Sequence, residues 1–259
     1  MKQKTKVLAD RFVEALAARP EVECVSLNEA ALEDPLDPYF ALIFDVFYNG
    51  GLEGPDVRRL WYGPDVTAFE TSKQASKDRF LVGNLPARME YKAVRDIDEL
   101  VSFADTKRES LWLIRDAGTY GYYRLTQGKL LFCRTDWIQE IRRRLLGLGD
   151  CFWNEMRLAH QSSMEHLLSD LGAAFLQNDD FHYTVSSALF IKAACLTLFC
   201  VNRRFEPSHR AYYQQVVRLP VLPDSFPALL DSFLRIAPEM TRERQYSLAH
   251  LIARNIVAL

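Results

Sequence analysis

The chain has 259 residues, with 32 Lys and Arg against 34 Asp and Glu and a formal net charge of -2. That length can bury a large core as one large or two modest domains, and the near-neutral balance argues against a protein whose main task is gripping a nucleic-acid backbone, which needs a cationic excess. The five cysteines, Cys24, Cys133, Cys151, Cys195 and Cys200, are unclustered and odd in number, so they read as buried thiols in a reducing compartment, not as a disulfide frame or zinc site.

In chain order, Lys4 to Ala18 is an amphipathic helix with Val7, Leu8, Phe12, Ala15 and Leu16 on one face, ended by Pro20. The N-terminus is basic but lacks the apolar run of a signal peptide. Val22 to Leu27 reads as a first strand. Tyr39 to Tyr48 reads as a second, with Phe40, Leu42, Phe44 and Val46 on one side and Tyr39, Ala41, Ile43 and Phe47 on the other. A strand apolar on both faces is normally central and covered by helices. Its one charge, Asp45, must lie near a strand end, pair with a cation or belong to a site, because an unpaired buried carboxylate is costly.

Gly50, Gly51, Gly54 and Pro55 break the pattern, and Asp56 to Leu60 starts a short helix. Thr67 to Lys77 is polar and is expected to be a loop. Arg79 to Val82 and Ala87 to Lys92 form a hairpin around Gly83-Asn84-Leu85-Pro86. Ile97 to Phe103 is helical. Tyr120 to Leu125 and Lys129 to Cys133 are expected to be a second hairpin around Gln127-Gly128. Asp136 opens a helix, with Gln139 at capping-box spacing and Gly147 as its stop.

Beyond that point the pattern is helical: Phe152 to Asn178, Tyr183 to Asn202, His209 to Val217, Ser225 to Ile236 and Thr241 to Val257, with prolines near the ends. The expected division is a sheet domain, 1–147, and a helical bundle, 148–259. Val185 to Val201 is the most apolar stretch, but Lys192 interrupts it and it is short for a membrane span, so it reads as a buried helix. A cytoplasmic protein with no membrane or nucleic-acid partner is expected.

The stretch 22–51, VECVSLNEAALEDPLDPYFALIFDVFYNGG, resembles the core of the nucleotidyltransferase superfamily, which includes the antibiotic nucleotidyltransferases. There a first strand ends in Gly-Ser, a short helix follows, and a second strand opens with Asp-x-Asp. The resemblance implies a mixed α/β (α+β) sheet flanked by helices, followed by an all-α bundle. It also implies a family chemistry in which the aspartates hold Mg²⁺ on ATP or another nucleoside triphosphate and the Gly-Ser backbone cradles phosphate. Laid without a gap, Ser26 to Ala30 falls on the Gly-Ser loop, and Ala41 and Ile43 take the two aspartate positions. A second register puts Ser26 on the serine, Asp37 on the first aspartate and Tyr39 on the second. Either way the Gly-Ser and at least one aspartate are missing.

In the same family a third carboxylate rides on a neighbouring strand, and that position falls on Arg88 or, shifted by two on the same face, on Glu90. Asn202 to Arg210 resembles an Asn-containing, Pro-then-Lys segment of the antibiotic branch, with Arg210 at the lysine. The candidate catalytic and metal residues are therefore Asp37, Asp45 and Glu90, and the candidate phosphate or nucleotide contacts are Ser26, Asn28, Arg88, Arg203 and Arg210.

Each has a plainer reading beside it. Asp37 before Pro38 is an ordinary turn, and in one straight strand it would stand roughly 26 Å from Asp45, at ~3.3 Å per residue. Asp45 and Glu90 also suit structural ion pairs. Arg142-Arg143-Arg144 reads as a solvated helix face, and the basic set from Arg203 to Arg210 complements a helix C-terminus. No spacing of histidines, phosphate-binding loop or nucleophile motif suggests other chemistry.

Three readings of function stay open. One is a degenerate nucleotidyltransferase-like protein that binds a nucleotide, a small molecule or a protein partner, without a cofactor. Another is an active Mg-dependent enzyme moving a nucleoside monophosphate to a hydroxyl. The last is a non-enzymatic interaction protein or homodimer built on the bundle.

Overall fold

The computed structural model describes residues 3–28, 40–235 and 240–259. By contact the chain forms two compact units, Met1–Ser110 with Gly121–Gly147, and Leu111–Tyr120 with Leu148–Leu259.

In the first unit, helix α1 (Gln3–Ala17) leads into β1 (Val22–Leu27). After a segment outside the described residues come β2 (Leu42–Tyr48), α2 (Pro55–Trp61), β3 (Val66–Thr71), β4 (Lys77–Val82), β5 (Leu85–Ala93) and α3 (Val94–Asp105). Helix α4 (Leu111–Ala117) belongs to the second unit, and α5 (Tyr120–Gln127), β6 (Lys129–Cys133) and α6 (Trp137–Leu146) follow it. The strands form one mixed sheet in the order β3-β4-β5-β2-β1-β6. Among the described residues only β2 and β5 pair in parallel, and β2 is central as its two apolar faces require. On one face α1 packs Leu8, Phe12 and Leu16 against Leu42, Phe44 and Val46. Phe12 sits edge-on to Phe44, Tyr62 and Phe80, with ring centroids 5.9, 5.7 and 5.6 Å away.

Several expectations are corrected here. Thr67 to Lys77 is a loop only over 72–76, since Thr67 to Thr71 is most of β3 and Lys77 starts β4; as an edge strand exposing one face, β3 tolerates polar residues that would be excluded from a central one. Tyr120 to Leu125 is helical, because the three-residue spacing of Tyr122 and Leu125 buries both, and the Tyr122 hydroxyl donates to Leu100 O at 2.7 Å. Lys129–Cys133 is a strand, but it pairs with β1. The Asp136 side chain makes no capping bond; Trp137 N donates to Thr135 Oγ1 instead, at 3.2 Å. Lastly, Cys24, Cys195 and Cys200 are buried as expected, but Cys133 is exposed and Cys151 half-buried.

Burial of charge adds a second constraint to this unit. Arg58 and Asp78 are 1% and 0% exposed, and they meet through two hydrogen bonds of 2.8 Å. Thr71 and Tyr91 donate to the same carboxylate at 2.8 Å, and the rest of the guanidinium donates to Glu53 O and Ala75 O. The pair thereby ties α2 to the β3–β4 hairpin and β5 with every charge compensated.

The second unit is helical: α4, α7 (Asp150–Gln177), α8 (Asp180–Val201), α9 (Tyr212–Val216), α10 (Phe226–Leu234) and α11 (Arg242–Val257). Asn178 ends α7 in the left-handed region at φ 53, and Asp179 caps α8 by accepting from His182 N at 3.0 Å. The core gathers Met164 and Leu171 of α7, Phe190 and Leu198 of α8, Phe226 and Leu230 of α10, and Ile252 and Ile256 of α11. Helix α8 is long and apolar enough to cross a membrane by length and composition, but 56% of its most apolar window is buried within the protein. The mixed sheet flanked by helices and the helical region after it match the expected fold class.

Replacing Asp78 with Asn should destabilise the protein by about 3–5 kcal/mol, because it leaves the buried Arg58 charge unpaired; urea unfolding at neutral pH measures this. In the second unit, burial, then Lys192 and Arg115, push the His160 imidazole down to about 4. The unfolded chain therefore takes up a proton near 6.5 that the folded one refuses. Stability from this source is complete above pH 6.5 and is lost as pH falls toward 4, and the melting temperature of His160→Gln should decline less over that window than the parent's.

Candidate functional site

The parallel register of β2 and β5 sets Ile43 opposite Arg88, Asp45 opposite Glu90, and Phe47 opposite Lys92. Strand alternation turns these six residues to the sheet face away from α1. Asp45 and Glu90 are 1% and 4% exposed, so two carboxylates lie buried beside each other in the middle of the sheet. Like charges so placed repel and are poorly solvated, and they can stay ionised only if cations meet them.

Helix α5 supplies the principal cation. Arg124 Nε donates to Asp45 Oδ2 at 3.0 Å, Nη2 donates to Asp45 Oδ1, and Nη1 donates to Glu90 Oε2 at 2.7 Å. One guanidinium thus bridges both carboxylates. Lys92 Nζ adds a contact of 2.8 Å to Asp45 Oδ1. Arg88 Nε lies 2.9 Å from Glu90 Oε1, close enough for charge attraction but without a hydrogen bond's alignment. Burial raises the Glu90 carboxyl, but Arg124, Arg88, Lys92 and Lys77 outweigh it and hold the group below its ordinary value. Burial lowers the Lys92 ammonium from its ordinary value despite the pull of Asp45.

The junction after α5 fixes this arrangement. A Cβ at Gly128 would meet Arg124 O at 2.7 Å and Ser26 Oγ at 3.2 Å, so only glycine lets the end of α5 turn into β6 against β1. From α6, Arg142 donates to Leu125 O at 2.9 Å and also to Gly128 O, while Arg144 pairs with Asp105 at 2.7 Å. The triple-arginine run is therefore mainly a structural tie and not a solvated face; Arg143, pairing with Glu140, is the exposed member.

Of the residues singled out in the sequence, Ser26, Asp45, Arg88 and Glu90 come together, Ser26 being the cross-strand partner of Asp45 on β1. Asn28 is buried at the end of β1, its N–H donating to Ile43 O at 2.8 Å, and its side-chain amide has no partner among the described residues. Asp37 lies outside the described residues. Arg203 and Arg210 belong to the second unit, where Arg203 pairs with Asp150 at the start of α7. Arg124 is not among the sequence candidates because Tyr120 to Leu125 reads as a strand; the signal that points to it is the buried carboxylates' need of a cation.

Mg²⁺ requires several oxygen ligands with free lone pairs. Here the carboxylate oxygens already accept from, or face, three side-chain cations, and no group of three His, Cys, Asp or Glu suited to a metal occurs among the described residues. The set does not fit the ion. The second unit has a separate concavity of about 320 Å³, lined by Ile191, Cys195, Tyr212, Val216, Leu230 and Leu234, with Lys192 and His209 beside them.

No family profile matches the chain, and no curated protein does. A solved structure similar to it is a nucleotidyltransferase-like protein from Exiguobacterium sibiricum, 12% identical, with a TM-score of 0.48 over 95% of this chain and 72% of that one. At that identity the likeness says nothing about activity.

Arg124→Met should cost about 3–5 kcal/mol at pH 7 by leaving two buried carboxylates without their shared cation. Burial raises the Glu90 carboxyl and Arg124 is the foremost of the cations that hold it below its ordinary value, so its stabilising contribution is lost as pH falls in the parent and is already missing in the variant, and the deficit should shrink toward acid pH. Urea unfolding of parent and variant at pH 7 and pH 5 compares the two.

Proposed function

We propose that this chain is a nucleotidyltransferase-like protein that does not transfer nucleotides and acts in the cytoplasm by binding. The observation that carries this reading is the bridging of Asp45 and Glu90 by Arg124, with Lys92 and Arg88 beside them. The resemblance implies a carboxylate cluster that attracts a metal ion; in this chain a guanidinium stands on the two carboxylates instead. Ala41 and Ile43, at the aspartate positions of the gapless alignment, agree with it.

A small, mainly apolar molecule suits the second unit's concavity better than a nucleotide does, since its lining offers few groups to a phosphate chain. Phe181, Val185 and Leu189 follow one another at four-residue intervals on α8 and are 81%, 39% and 47% exposed, which supports a protein partner or a second copy as the alternative.

A second reading, an active Mg-dependent nucleotidyltransferase, draws on one specific fact: Asp45 and Glu90 share a single guanidinium and are therefore close enough to act together. Two-metal or one-metal clamping of a transferred phosphoryl group would require Arg124 to leave them.

Calorimetric titration of the purified chain with ATP, with and without Mg²⁺, separates the two. Under the binding reading the heat is independent of Mg²⁺ and unchanged in Asp45→Asn and Glu90→Gln, each first checked for folding by circular dichroism. Mg²⁺-dependent ATP binding that both substitutions abolish would establish the enzyme reading in its place.

A further inference from the structure

Cys24 and Cys133 are directly opposite each other in the antiparallel β1–β6 pair. Their sulfurs are 3.3 Å apart. Cys24 is 1% exposed and Cys133 is exposed on the outermost strand, so one sulfur of the pair can meet a solute and the other cannot. Opposed residues of an antiparallel ladder have Cα separations of about 4.5–5.5 Å, inside the range of about 4.4–6.8 Å that a disulfide spans. The other three cysteines form no such pair with these two among the described contacts.

We infer that Cys24 and Cys133 are a reversible oxidation site, at which a peroxide converts the two thiols to a disulfide that clasps β6 to β1. The exposed Cys133 sulfur takes an oxygen from hydrogen peroxide, giving a sulfenic acid and one water. The Cys24 sulfur then displaces that oxygen as the S–S bond forms, and its proton leaves with it as a second water. Two thiols are oxidised and one peroxide is reduced to two waters, so the step balances. Burial raises the Cys24 thiol well above its ordinary value, which disfavours it as the thiolate that meets peroxide and leaves first attack to the exposed Cys133, while the 3.3 Å separation places Cys24 to resolve the sulfenic acid.

The placement gives the bond a consequence. The partners are 109 residues apart in the chain, and the segment between them contains β2, β5 and α5. A bond closing so long a loop restricts the unfolded chain strongly. It also anchors β6, whose first residues follow the Gly128 turn that positions Arg124. Oxidation thus stiffens the sheet edge that adjoins the Asp45–Arg124–Glu90 cluster.

The test is to treat the full chain with hydrogen peroxide, block residual thiols with N-ethylmaleimide under denaturing conditions, and map the peptides by mass spectrometry without reduction. The expected result is a fall from five free thiols to three, a single cross-linked peptide joining Cys24 to Cys133, and its disappearance with dithiothreitol. The oxidised chain should melt roughly 5–10 °C above the reduced one. Cys133→Ser should abolish both the cross-link and the shift. Five thiols remaining, a cross-link through Cys151, or oxidation of Cys133 to a sulfinate or an intermolecular dimer without Cys24 would each overturn the inference. Because the parent's peptide map decides the matter, a poorly folding variant does not protect it.

Discussion

Two carboxylates buried side by side on adjacent strands impose the constraint from which much of the first unit follows. Asp45 and Glu90 are neighbours because β2 and β5 run parallel in register, and neither could remain charged there without a cation. Arg124 meets that need from a helix rather than from the sheet, so the cluster dictates where α5 must lie over this face. Gly128, Ser26 and the Arg142 carbonyl contacts are consequences of holding that helix end close. The fold thereby joins chemistry to architecture: the same salt-bridge network that stabilises the sheet occupies the carboxylate oxygens of Asp45 and Glu90.

The opposite sheet face has its own charged network, in which Arg58 and Asp78 reach full compensation through Thr71, Tyr91 and two backbone carbonyls. Networks of this kind are expensive to break and contribute modestly when intact, so they act chiefly to define one arrangement of α2 and the hairpin. The helical unit solves burial differently, with apolar packing between α7, α8, α10 and α11 and one neutral imidazole, His160, inside it.

How far the fold was legible depended on how local the signal was. The first strand, α1, α2, the β4–β5 hairpin and the long helices were marked by periodicity, glycine and proline, and these depend on neighbours in sequence. β3 is not legible locally because an edge strand can be as polar as a loop. α5 is not legible locally because tyrosines suit strands as well as helices, and only packing against Leu100 and the sheet decides between them. That helix presents Arg124, on which the carboxylates depend, so the position of the cation follows from the packing and not from the local pattern.

By itself the sequence determined the class of fold, the central two-faced strand and the presence of an acidic residue in it that needed a partner, because hydrophobic alternation and the penalty for burying charge are properties of short stretches. Only the tertiary structure decided that Glu90 stands beside Asp45, that Arg124 bridges them, and that Cys133 faces Cys24. Each of these pairings joins residues far apart in the chain. Strand register and helix docking create them, and no local pattern encodes which distant cation or thiol a given side chain will meet.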